Sequence, residues 1–204
     1  MANTNTPFGF RRAASVGFSP TFEQAEMLMD YNAIATYYGD PVIRQADGSV
    51  APIAQSTLST TQILAGIFIG CKYPSVSQKR TLWGNYWPGN DVASTNQATA
   101  YVINDPNAQF SCQSDATTFA TFAGFSNAGI GANYAYNSGT GNAANGLSGA
   151  YVVTSSGAVT ATLAFRLVSI LTFPPGANGT QTGGYQIGTV AFNNVETRSL
   201  TATI

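Results

Sequence analysis

The chain has no histidine. That absence removes the usual general base of serine and cysteine hydrolases, the side chain that titrates near neutral pH, and every histidine-ligated metal site. Charge is scarce too. Asp, Glu, Lys and Arg together make up 8% of the residues, against about 25% in an average soluble domain. Eight basic and nine acidic residues leave a net charge of -1. No field of either sign therefore steers the chain to nucleic acid, an anionic membrane or a charged substrate. The two cysteines, Cys71 and Cys112, stand far apart without a CxxC spacing, which predicts reduced, buried thiols rather than a metal site or disulfide. Long apolar runs are missing: the longest, Ile63 to Cys71, contains Gly66 and Gly70 and is too short to cross a bilayer. Met1 to Phe10 (MANTNTPFGF) has no basic stretch followed by an apolar core, so no secretory signal is expected.

What is present is a 204-residue chain, enough for one large domain or a domain with an arm. Asn, Gln, Ser, Thr and Gly carry its solubility, a composition suited to crowded assemblies in which repeated like charges would repel. Residues 1–32 read as an extended N-terminal arm. Pro7 and Pro20 disfavour regular ladders, and Phe8, Phe10 and Phe18 stand beside them with Arg11-Arg12 between. Phe22 to Asp30 fits either a helical turn or a short strand.

Residues 33–204 read as a β-rich body. Asp47-Gly48 between two apolar-alternating runs marks a hairpin, and Asp105-Pro106-Asn107 is another turn. Ile63 to Tyr73 is the strongest buried strand, with Gly66 and Gly70 marking a bulge or close packing. Asp115 could cap a short helix over 116–122. The Gly/Asn/Ser-rich stretch 124–149 reads as a long solvent-facing loop around one short strand at 132–136. Val159 to Phe173 reads as a strand with Leu163, Phe165 and Leu167 on one face. Tyr185–Phe192 and Thr197–Thr203 close the chain. Many short strands between turn residues predict an all-β sandwich or barrel.

Catalysis has little to work with. Asp40, Asp47 and Asp105 each sit in a turn motif, where a carboxylate best serves the neighbouring backbone rather than general acid or base chemistry. No calcium loop, P-loop or GxGxxG is found. No catalytic, cofactor-binding or metal-binding residue is therefore assigned. The segment from Trp83 to Asn90 (WGNYWPGN) is the one aromatic cluster of interest. As a continuous strand it puts Trp83, Asn85 and Trp87 on one face and Tyr86 on the other. The tryptophans then serve the core, a subunit contact or a sugar-stacking platform. Arg11-Arg12 and Lys79-Arg80 are the only basic pairs, too small for a nucleic-acid patch.

Several of these segments fall in an order that resembles a set of virion proteins of tailed bacteriophages. They are the MANTNTPFGF opening, the GDPV turn at Gly39 to Val42, the ILAGIFIGCKY strand, the block from Ala100 to Asp115 (AYVINDPNAQFSCQSD) and the late ATLAFRLVSI strand. Those proteins are described as capsid decoration or cement proteins. The resemblance implies a β-sandwich or barrel clamped onto the outside of a capsid and stabilising contacts between capsomers. It implies the major capsid protein and the chain itself, as a homotrimer, as partners. It also implies synthesis in the host cytoplasm, a place on the capsid surface, and neither cofactor, nucleic acid nor membrane. On this reading Phe8, Phe10, Arg11, Arg12, Phe18, Trp83, Tyr86 and Trp87 are interface residues, with the arm pairing onto a neighbour's sheet edge. A carbohydrate- or receptor-binding virion module and a tail component are the alternatives.

Overall fold

The chain's structure, a computed structural model, describes residues 3–15, 24–116, 129–171 and 184–198. The expected helix after Asp115 and residue Phe18 lie outside these residues. Within them the chain is all β, with fifteen strands and no helix. The first eight are β1 (Arg11–Ser15), β2 (Gln24–Leu28), β3 (Thr36–Tyr37), β4 (Pro41–Arg44), β5 (Val50–Pro52), β6 (Leu58–Ser59), β7 (Leu64–Ser75) and β8 (Arg80–Gly84). The others are β9 (Tyr86–Trp87), β10 (Thr99–Ile103), β11 (Ala108–Gln113), β12 (Asn133–Asn137), β13 (Tyr151–Ala158), β14 (Phe165–Ile170) and β15 (Ile187–Phe192).

A seven-stranded sheet runs β1-β11-β15-β14-β12-β13, with β6 joined to β12. A six-stranded sheet runs β2-β10-β7-β4-β5, with β8 joined to β7, and β3 pairs with β9 alone. The two large sheets form a sandwich. Phe110, Phe165, Leu167 and Phe192 of the first pack with Leu64, Ile67 and Ile103 of the second. A second apolar cluster covers the other face of the six-stranded sheet, where Val42, Phe68, Tyr73 and Val102 meet Met29 and Trp87. Because successive side chains point to opposite faces, the Leu64 to Cys71 part of β7 is buried on both. This explains why its sequence is an unbroken apolar run rather than an alternation.

Gly66 and Gly70 break that run for a steric reason. A Cβ on Gly66 would stand 2.3 Å from the Ile103 carbonyl oxygen, and one on Gly70 would stand 2.8 Å from that of Gly84. The register of β7 against β4 and β10 slips at these two places, as bulges do. The turn carboxylates act as expected on the backbone: Asp47 accepts from the Ser49 N–H at 2.9 Å and Asp105 from the Asn107 N–H at 2.8 Å. The Asp47 turn closes the β4–β5 hairpin. The Asp105 turn instead carries the chain from one sheet to the other.

Three expectations need correction. Residues 11–15 and 24–28 are not a free arm: β1 pairs with β11, and β2 pairs with β10, inside the two body sheets. The strand expected at 132–136 forms as β12, but the described part of the 124–149 stretch does not simply face solvent: Tyr134, Ala135 and Tyr136 are buried. Finally, β14 begins only at Phe165. Val159 is 97% exposed, although Leu163, Phe165 and Leu167 do all face inward.

Candidate docking surface

Trp83 is the largest exposed apolar side chain among the described residues, at 66% accessibility. It lies on β8 opposite Lys72 of β7. Tyr101 on β10 lies opposite Gly70, which has no side chain to keep the Trp83 ring from reaching it. The two rings stack with centroids 5.7 Å apart and planes 12° from parallel. An aromatic pair across a strand glycine compensates for the missing side chain. The Lys72 ammonium sits 4.7 Å from the Trp83 ring centroid, an attraction between cation and ring of about 0.5–1 kcal/mol at an exposed site. Glu26 is paired with Tyr101 in the next strand. Loss of water around it and then the Glu26 charge hold the Tyr101 phenol above its ordinary pKa. The result is a stacked aromatic step with one positive and one negative neighbour.

The expected two-tryptophan face does not form. The chain leaves β8 at Asn85 to pair β9 with β3, so the alternation restarts there. The Asn85 side chain holds the crossing by donating to the Asn145 carbonyl at 3.0 Å. Trp87 is fully buried, with its indole N–H toward the Ala33 carbonyl at 3.4 Å and its ring edge-on to Tyr73. Tyr86 stacks on Tyr37 with centroids 5.8 Å apart. Trp87 is thereby closed to a subunit partner, while Tyr86 is half-buried.

The N-terminal candidates also separate. Phe10 is 1% exposed and stacks on Phe165 at 4.2 Å in the chain's own core, so it cannot anchor a neighbour. Phe8 and Arg12 are half-buried, and the Arg11 guanidinium lies 5.3 Å from the Phe8 ring centroid. Tyr101 and Lys72 went unassigned in the sequence. Alternation along Ala98 to Asn104 gives Tyr101 the face of buried Ile103, and nothing in it shows that the sandwich ends between them.

The remaining chemistry is quiet. Both cysteines are free and buried, and burial pushes the Cys71 thiol up to about 12. Asp40 is the one buried carboxylate in the described core. It accepts from the Tyr37 N–H at 2.7 Å and the Ser148 hydroxyl at 2.5 Å, and burial still pushes it up to about 7. These bonds tie the 37–40 turn to the 146–150 segment. A scan against protein-family models found no match, and neither the curated proteins nor the solved structures gave one.

Proposed function

We propose that the chain is a non-enzymatic virion structural protein that binds the outside of a capsid, with the Trp83–Tyr101 step as its principal contact. One observation carries the reading: a tryptophan two-thirds exposed yet in contact with the Tyr101 ring and the Lys72 ammonium. Pre-ordered aromatic side chains lose little entropy on docking and dominate the energetics of protein contacts. Three further features support it. The chain is nearly uncharged. The seven-stranded sheet turns amide and hydroxyl side chains such as Gln109, Ser111 and Thr189 away from the core. The order of the quoted segments resembles decoration proteins. Homotrimers bridging capsomers are the form that this resemblance implies.

The test is co-sedimentation with expanded empty shells of a tailed-phage major capsid protein, the partner that the resemblance implies, with light scattering for the free oligomer. Stoichiometric binding is expected. Trp83→Ala should weaken it about 30-fold, the equivalent of about 2 kcal/mol for a tryptophan hot spot. A chain that ignores shells, or a Trp83→Ala variant at wild-type occupancy, overturns the proposal. Deleting residues 2–20 is not a clean test. It removes both β1 and core residue Phe10.

A further inference from the structure

We propose that an open groove at one end of the seven-stranded sheet, away from the Trp83 step, is a binding site for a neutral saccharide. The groove encloses about 490 Å³, within the roughly 300–1,000 Å³ of small-ligand sites. Tyr151 and Tyr185 stand on it with the side chains of Asn137, Ser56, Thr140 and Asp115. Gly139 and Gly149 contribute backbone only: a Cβ on Gly139 would stand 1.8 Å from the Gly149 carbonyl oxygen. The segment just after β12 and the one just before β13 therefore approach without side chains between them.

The chemistry of the lining selects the ligand. None of the chain's eight Lys and Arg residues lines the groove, so it has no counter-charge for a phosphate or carboxylate. Asp115 is its single described carboxylate, and it already takes the Thr154 hydroxyl at 2.6 Å. Asn137 is oriented at both ends of its amide: the Gly139 N–H donates to its Oδ1 at 2.8 Å, and its Nδ2 donates to the Ser56 carbonyl at 3.4 Å. Ser56 and Thr140 place two hydroxyls 3.4 Å apart. Hydroxyls, an oriented amide and two phenol rings match a ligand dense in hydroxyls but with apolar C–H faces. That is the surface of a neutral sugar.

Tyr185 supplies a second, independent observation. Its φ of +60° lies in the left-handed region, where a bulky side chain is rare. Its N–H donates to the Asp115 carbonyl at 2.8 Å, while its own carbonyl accepts from Asn3 and Gln113 at 3.0 and 3.2 Å. Three hydrogen bonds thus hold a tyrosine in a conformation that glycine would adopt without strain. Such over-determined outliers gather at ligand sites.

The experiment is saturation-transfer NMR and calorimetry on the full chain. The probes are neutral hexose and N-acetylhexosamine oligosaccharides at millimolar concentration, with trigalacturonate as the acidic counterpart. At least one neutral probe should bind, and trigalacturonate should not. Tyr185→Gly should weaken binding about tenfold or more while leaving the melting temperature at or above wild type. Tyr185→Phe should keep most of the affinity, and Trp83→Ala should leave it unchanged. Three outcomes overturn the proposal: no neutral probe binds, trigalacturonate binds equally well, or Tyr185→Gly binds like wild type. Loss of sugar binding in Trp83→Ala alone would also overturn it, by moving the site to the aromatic step. Capsid binding is read out separately, so either proposal can fail without the other.

Discussion

Acid should stabilise this protein between pH 8 and pH 4, and one residue should account for it. Asp40 has a folded pKa of about 7 against an ordinary 3.8, because burial penalises its charged form more than Ser148 and Tyr37 relieve it. A folded pKa above the unfolded one means that the folded state holds the proton more tightly. The stabilisation is therefore complete below pH 3.8 and is lost as pH rises to 7. At about 1.36 kcal/mol per pH unit, the full span is about 4 kcal/mol, with about 2 kcal/mol of it between pH 5 and 7. The background is unusually clean, because there is no histidine to titrate in that window. Asp47 and Asp91 are both lowered, Asp47 first by the Ser49 side chain and Asp91 first by the Ser75 hydroxyl. Their contributions are lost only as pH falls through the acidic range, outside the window. Urea denaturation followed by fluorescence at pH 5, 6, 7 and 8 measures the slope. Asp40→Asn keeps an acceptor for the Tyr37 N–H and a donor toward Ser148. It should be nearly pH-independent over this range and more stable than wild type at pH 8. A wild-type protein whose stability is flat or rises from pH 5 to 8, or an Asp40→Asn variant with the wild-type slope, would refute the reasoning.

Other expected outcomes concern the two tryptophans, the strand glycines and the thiols. Trp87→Ala should cost about 3–5 kcal/mol in the same assay, as large-to-small changes in a packed core do. Trp83→Ala should cost no more than about 2.5 kcal/mol, the upper value of its stack and cation contact together; equal losses would mean that the two rings are not sorted as described. Gly66→Ala should lower stability by about 3 kcal/mol, at the upper end of overpacking costs, because the new methyl meets the backbone of β10. Cys71 and Cys112 should resist Ellman's reagent in the native protein and react fully in urea, since their raised pKa values and burial suppress the thiolate. Rapid native labelling of either would contradict the buried placement.

The chain's own chemistry was enough to establish several things. Short apolar segments between turn residues required an all-β body, because neither the period nor the length of a helix recurs. The turn roles of Asp47 and Asp105 were legible, since an Asx carboxylate bonds to backbone only two residues away. So were the bulges of β7, because a glycine in a strand records a close approach that any Cβ would block. Contacts between distant residues were not legible. Whether Phe10 lies in an arm or in the core depends on Phe165, far along the chain. Whether Trp83 and Trp87 share a face depends on Asn85, where the strand leaves one sheet for another. Alternation fixes orientation only while a strand continues, so a single break reverses every side chain beyond it. The exposure of Tyr101 depends on where one sheet stops covering the other, and the Tyr185 groove on six segments meeting at one end of the sandwich. Local sequence sets the strands and turns; which faces they bury is decided by tertiary packing.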